Sequence, residues 1–140
     1  MKPAFLPFLL LASCCFSDPG KQPLTPLDGQ TVTRATIYAY PRNKPLIGKT
    51  KPVRTTLTKP ADLSFVVAHL QGLDSQCYDH SSPEIDLTLE TTSGKSVSLR
   101  VGSLEIGPAA PASALNQHWF PKDDSLYRFL MAKAYPDTSR

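Results

Sequence analysis

Ile85-Asp86-Leu87-Thr88-Leu89-Glu90-Thr91-Thr92-Ser93-Gly94-Lys95-Ser96-Val97-Ser98-Leu99-Arg100-Val101 is the stretch that sets the fold. Ile85, Leu87 and Leu89 alternate with Asp86, Thr88 and Glu90. Val97, Leu99 and Val101 alternate with Ser98 and Arg100. Alternation is the period of a strand with one buried and one wet face. Ser93-Gly94 supplies the turn between the two runs, so the stretch predicts an antiparallel hairpin over 84–92 and 95–101.

Upstream, Arg34-Ala35-Thr36-Ile37-Tyr38-Ala39-Tyr40 is rich in residues that suit a pleated, half-buried surface and reads as a strand. Residues 53–58 read as a second one, with a proline-interrupted loop over 41–52 between them. A helix is predicted over about 60–71. Pro60 suits its first turn, where a missing N–H costs nothing. Leu63, Val66, Val67 and Leu70 follow the i, i+3, i+4, i+7 spacing, and Gly72 is placed to end it. Residues 73–83 read as a loop. Leu104 and Ile106 can add a short strand, and 107–121 lead, through Pro and Ala, to Trp119-Phe120-Pro121. A last helix is expected over about 122–134, with Asp123 and Asp124 at its positive end, Lys133 at its negative end and Leu126, Phe129 and Leu130 as its buried stripe.

The expectation is an α+β domain: a small, mostly antiparallel sheet of four to five strands, in the order β-β-α-β-β-α, with both helices on one face. Three parts are expected: a signal over 1–13, a lipidated N-terminus and tether over 14–33, and one domain over 34–140.

The N-terminus carries an address. Lys2 is followed by an apolar run over residues 4–12, broken by Pro7. The run is too short to span a bilayer as a helix, which takes roughly 20 residues, and fits a cleaved signal. It ends in Leu11-Ala12-Ser13-Cys14, an aliphatic residue, two small residues and a cysteine. This resembles the lipobox of bacterial lipoproteins. The resemblance implies cleavage before Cys14, thioether lipidation of its sulfur and a body held at a membrane of the cell envelope. The domain is also loosely similar, over about residues 58–135, to small envelope lipoproteins in which a polar-apolar strand pair precedes an aromatic pair and a short C-terminal amphipathic helix. That likeness implies no activity.

Residues 16–33, punctuated by Pro and Gly, read as an extended tether. The chain has 14 prolines in 140 residues, about twice the usual ~5%, and half of them fall between Pro19 and Pro60. Charge is lopsided. Residues 29–61 hold seven basic and no acidic residues, while 62–140 hold six basic and ten acidic ones. Such asymmetry either marks an anionic partner or is a solvated basic loop. Nucleic acid is not expected as a partner, since no aromatic residues interleave the lysines and no nucleic-acid motif is present.

Chemistry is sparse. Cys77 and His80 have C-x-x-H spacing, with His69 upstream, but a structural zinc site needs four ligands and no second pair exists. A Cys77–His80 nucleophilic pair would also need an oxyanion donor. The cluster 74–80 reads as a polar loop, and no enzyme activity, metal or cofactor is expected. Cys77 is either a small, partly buried thiol or a partner of Cys15. His69 is expected half-buried beside the helix stripe. Glu84, Asp86 and Glu90 are expected on the solvent side of the sheet. Beside His118, Trp119 and Phe120 read either as the lid of the core or as an exposed binding platform. The binding candidates are therefore Arg42, Lys44, Lys49, Lys51 and Arg54 in the basic region, together with Trp119 and Phe120. The expected function is a non-catalytic, membrane-anchored domain that binds an envelope protein or component. The alternatives are a binder of a small or anionic ligand through residues 42–59 and, less favoured, an enzyme or metal protein centred on residues 74–80.

Overall fold

The computed structural model describes residues 27, 29–41, 51–71, 73–77, 84–109 and 117–136, without the side chains of 74–77 and 117–118. They form an α+β fold: β1 (Val32–Ala39), β2 (Val53–Leu57), α1 (Pro60–Leu70), β3 (Asp74–Cys77), β4 (Ile85–Thr91), β5 (Ser96–Val101), β6 (Ile106–Pro108), β7 (Gln117–Phe120) and α2 (Ser125–Ala134). All strands join one antiparallel sheet in the order β2-β1-β4-β5-β6-β7-β3. Both helices pack on the same strand, β1, and on each other, so one face of the sheet is covered.

The hairpin forms as expected, as β4 and β5. Along β4 the side chains alternate strictly between buried and half-buried. Thr92-Ser93-Gly94 make the loop. Thr91 accepts from the Gly94 N–H at 3.0 Å and donates its own N–H to Lys95 at 2.9 Å. Gly94 has φ 78°, the left-handed region that side chains other than glycine enter at a cost. A Cβ there would meet nothing within 4 Å, so the cost of adding one is backbone strain alone. Gly94→Ala is expected to destabilise by about 1–2 kcal/mol, and Gly94→Asn by less, as urea unfolding would measure.

Register carries one core row across six strands: Val53, Ala39, Ile85, Val101, Ile106 and Trp119 are successive partners. A second row runs Thr55, Ile37, Leu87 and Leu99, and a third Leu57, Ala35, Leu89 and Val97. Ala35, Ile37, Ile85, Leu87 and Leu89 are fully buried beneath Leu63, Val66 and Leu70 of α1 and Leu126 and Leu130 of α2.

The helices begin for legible reasons. The Lys59 carbonyl accepts from Leu63 at 3.1 Å as Pro60 opens α1. Asp123 Oδ1 accepts the Ser125 N–H at 2.9 Å, an Asx turn that starts α2 at 125 rather than 122. That bond, first of all, holds the Asp123 carboxyl below its usual value. Asp62, in the first turn of α1, receives Lys133 Nζ from the last turn of α2 at 3.0 Å on both oxygens. Each charge thereby also complements its own helix dipole. Phe65 stacks on His69 at 4.0 Å and meets the Phe129 ring at a tilt at 4.4 Å. The chain leaves α1 through extended Gln71; Gly72 lies outside the described residues.

Four expectations need correction. The sheet has seven strands rather than four to five. Residues 74–77, read as loop, are β3, and 117–120, read as part of a leader, are β7; each is the other's four-residue partner. Polar residues such as Asp74-Ser75-Gln76 carry no strand signal of their own, and this ladder forms only because tertiary structure brings the segments together. The folded body also begins before residue 34, where the domain was expected to start. Leu27 packs against the core, Gly29 turns the chain at φ 68°, and β1 begins at Val32.

Candidate functional site

The face of the sheet away from the helices is covered by no described element. Arg34, Thr36 and Tyr38 reach it from β1 because Ala35, Ile37 and Ala39 point to the helices. Register then aligns side chains from four strands. Thr56, Thr36, Thr88 and Ser98 form a row of hydroxyls, with Thr88 and Ser98 hydrogen-bonded at 3.1 Å. Beside it runs Arg54, Tyr38, Asp86 and Arg100. On its other side Arg34 pairs with Glu90 at 3.3 Å.

Charge on this face is mostly balanced. Arg100 lies 3.9 Å from Asp86, and Tyr40 donates its hydroxyl to the same carboxylate at 3.3 Å. Burial, then the Asp86 charge and that hydrogen bond, push the Tyr40 hydroxyl above its ordinary 10.0. The protonated hydroxyl therefore supports folding below pH 10.0, and that support is lost as pH rises through the raised value. Arg54 is different. Its guanidinium carbon sits 5.8 Å from the centre of the Tyr38 ring, within cation–π range. No carboxylate stands within ion-pair distance of it among the described residues. A guanidinium steadied by a ring and not neutralised by an acid is equipped to meet an anionic or carbonyl-bearing partner.

The binding candidates divide accordingly. Arg54 stands on the open face and Lys51 is exposed just before β2. Arg42, Lys44, Lys49, Cys14, Cys15 and His80 lie outside the described residues. Trp119 does not join Arg54. It lies at the far end of the core row, on the helix side, packed on the core, and its Nε1 has no acceptor among the described residues. Phe120 follows it half-buried in β7. Arg54 and Trp119 thus stand on opposite faces, with four strands between β2 and β7.

His69 is half-buried as expected, its Nδ1 2.9 Å from the Phe65 carbonyl oxygen. Asp86 and Glu90 are on the solvent side. Glu84 is not: it precedes β4 and accepts the hydroxyl of Tyr127, a buried residue of α2. Cys77 closes β3 opposite Gln117. Among the described residues no group of three or more His, Cys, Asp or Glu is placed to hold a metal, and no helix is long and apolar enough to cross a membrane. Arg34, Thr36, Tyr38, Tyr40 and Arg100 were not singled out from sequence, although their alternation with buried neighbours was the signal available.

Comparison of the chain with family models, with curated proteins and with solved structures finds no match in any of the three.

Proposed function

We propose that this protein is a lipid-anchored, non-catalytic binding domain of a bacterial cell envelope, and that the open sheet face is its recognition surface. The observation that carries the reading is Arg54, a cation with no carboxylate within ion-pair distance among the described residues, on a face of aligned polar side chains that no described element covers. A covered face stabilises the sheet, and an uncovered one leaves side chains free for a partner. The partner we favour carries negative charge, since Lys51 precedes Arg54 by three residues and residues 29–61 hold no acid. The lipobox resemblance supplies the anchor, and the segment before Leu27 supplies the tether.

The mature chain carrying Cys14→Ser should bind anionic-lipid vesicles or anionic envelope glycans more weakly as salt rises and screening grows. Arg54→Glu should weaken that binding about tenfold, in the range of a lost charge contact at an interface. Salt-insensitive binding, or equal binding by the variant, would overturn this use of the face. Substrate turnover that is lost on changing Cys77 or His80 would overturn the non-catalytic reading. Mass spectrometry of the mature N-terminus tests the anchor: an unmodified Cys14 rules it out.

A further inference from the structure

A second surface lies on the other side of the sheet. β1 and β2 pair only from Ala35 to Ala39, because the chain leaves β2 after Leu57 and turns into α1. Among the described residues, the first ones of β1 therefore lack a paired strand on that side. Val32 pairs with Thr91 on β4, and the Thr92 N–H donates to the Thr31 carbonyl at 3.0 Å. A donor and acceptor that flank the pair in this way mark it as the non-hydrogen-bonded kind. The Val32 N–H and C=O consequently point away from β4, into the gap that β2 vacates.

That gap is a groove. It has a volume of 590 Å³ and lies between this strand edge and α1, with Val32, Leu63, Val67 and Ala68 among its lining and no charged residue in it. It follows α1 from Pro60 to Gln71, about 16 Å at 1.5 Å per residue, the length of about five extended residues. Lys59 stands exposed at its β2 end, with no carboxylate within ion-pair distance among the described residues.

We propose that this groove receives an extended segment of a partner protein, which adds antiparallel to β1 in the line of β2. Backbone groups of the segment bond to Val32, and alternate side chains settle between Val32 and the Leu63–Val67 side of α1. Charge complementarity defines the segment. It is uncharged where the lining is uncharged, and acidic at its N-terminal end, which an antiparallel strand places beside Lys59. The groove is separate from the open face and its occupancy does not depend on Arg54.

The test uses the mature chain carrying Cys14→Ser and the peptide acetyl-Asp-Val-Ser-Val-Ser-Val-amide. Amide chemical shifts of Val32, Leu63 and Val67 are expected to move on titration. Ala68→Arg and Ser64→Arg, both at exposed positions on the lining, should each weaken the peptide about tenfold or more. Lys59→Glu should weaken it too and should recover affinity for the peptide with lysine in place of aspartate. Arg54→Glu should change nothing here, so failure of the groove and failure of the open face are told apart. No shift at Val32, or binding indifferent to both arginine variants, overturns the proposal. So do two other outcomes: groove shifts on replacing residues 16–26 with a Gly-Ser linker, which would make the tether the occupant, and concentration-dependent groove shifts without peptide, which would make it a second copy.

Discussion

Leu87→Ala lowers the unfolding free energy by about 3 kcal/mol, within the ~2–5 kcal/mol of buried Leu-to-Ala changes. Leu87 sits mid-strand in β4, between Ile37 of β1 and Leu99 of β5, and it is wholly inaccessible. Its side chain loses both its burial and its packing when truncated. The sheet around it is paired on both sides, so the neighbours have little freedom to fill the space. Urea unfolding of the variant should show a lower midpoint with an unchanged slope, because the same surface is exposed on unfolding. A loss below about 1 kcal/mol would mean that the site collapses readily and that β4 is not the rigid centre described.

Ala35→Leu is the second large effect, from the opposite cause. β1 alternates small, large and small at Ala35, Ile37 and Ala39 on the face that both helices cross. Ala35 is fully buried between Leu57 and Leu89. A leucine there, at a fully buried position, must displace one of these neighbours or a helix, at about 2–3 kcal/mol. The same midpoint measurement checks it, and α1 should show the earliest loss of amide protection if the helices are what moves. Ala35→Ser, which keeps the volume nearly constant, should cost less than the leucine.

The parts of this fold that could be read from sequence are those with a period. Leu87 and its alternating neighbours gave away the central hairpin, and Leu63, Val66, Val67 and Leu70 gave away α1. β3 and β7 could not be read, because Asp74-Ser75-Gln76-Cys77 has no apolar alternate and Gln117-His118-Trp119-Phe120 is too short to show one. The candidate site divides the same way. Arg54 stood out as a charge in a basic run, but which side chains stand around it depends on what register brings beside it. Trp119 stood out as an aromatic, yet only the row from Val53 to Trp119 fixes its face. The groove at Val32 was not legible at all. It depends on where β2 stops and on the slip of register between Val32 and Arg34, a bulge that buries Val32 and Ala35 while exposing the two residues between them.

The way the chain arrives at β1 has a mechanical meaning. Ser93 Oγ donates to Gln30 Oε1 at 2.6 Å, and the Thr92 N–H to Thr31 at 3.0 Å, so the approach is fastened to the tip of the hairpin. With the anchor proposed at Cys14, a pull on the body first loads this fastening and then runs along the axis of β1. From Ala35 to Ala39 that strand lies between β2 and β4, not at an edge. Its ladders would be stressed in shear, many hydrogen bonds sharing the force, rather than opened one after another. A body hung from an interior strand can resist tension that would unzip the same sheet hung from β2 or β3.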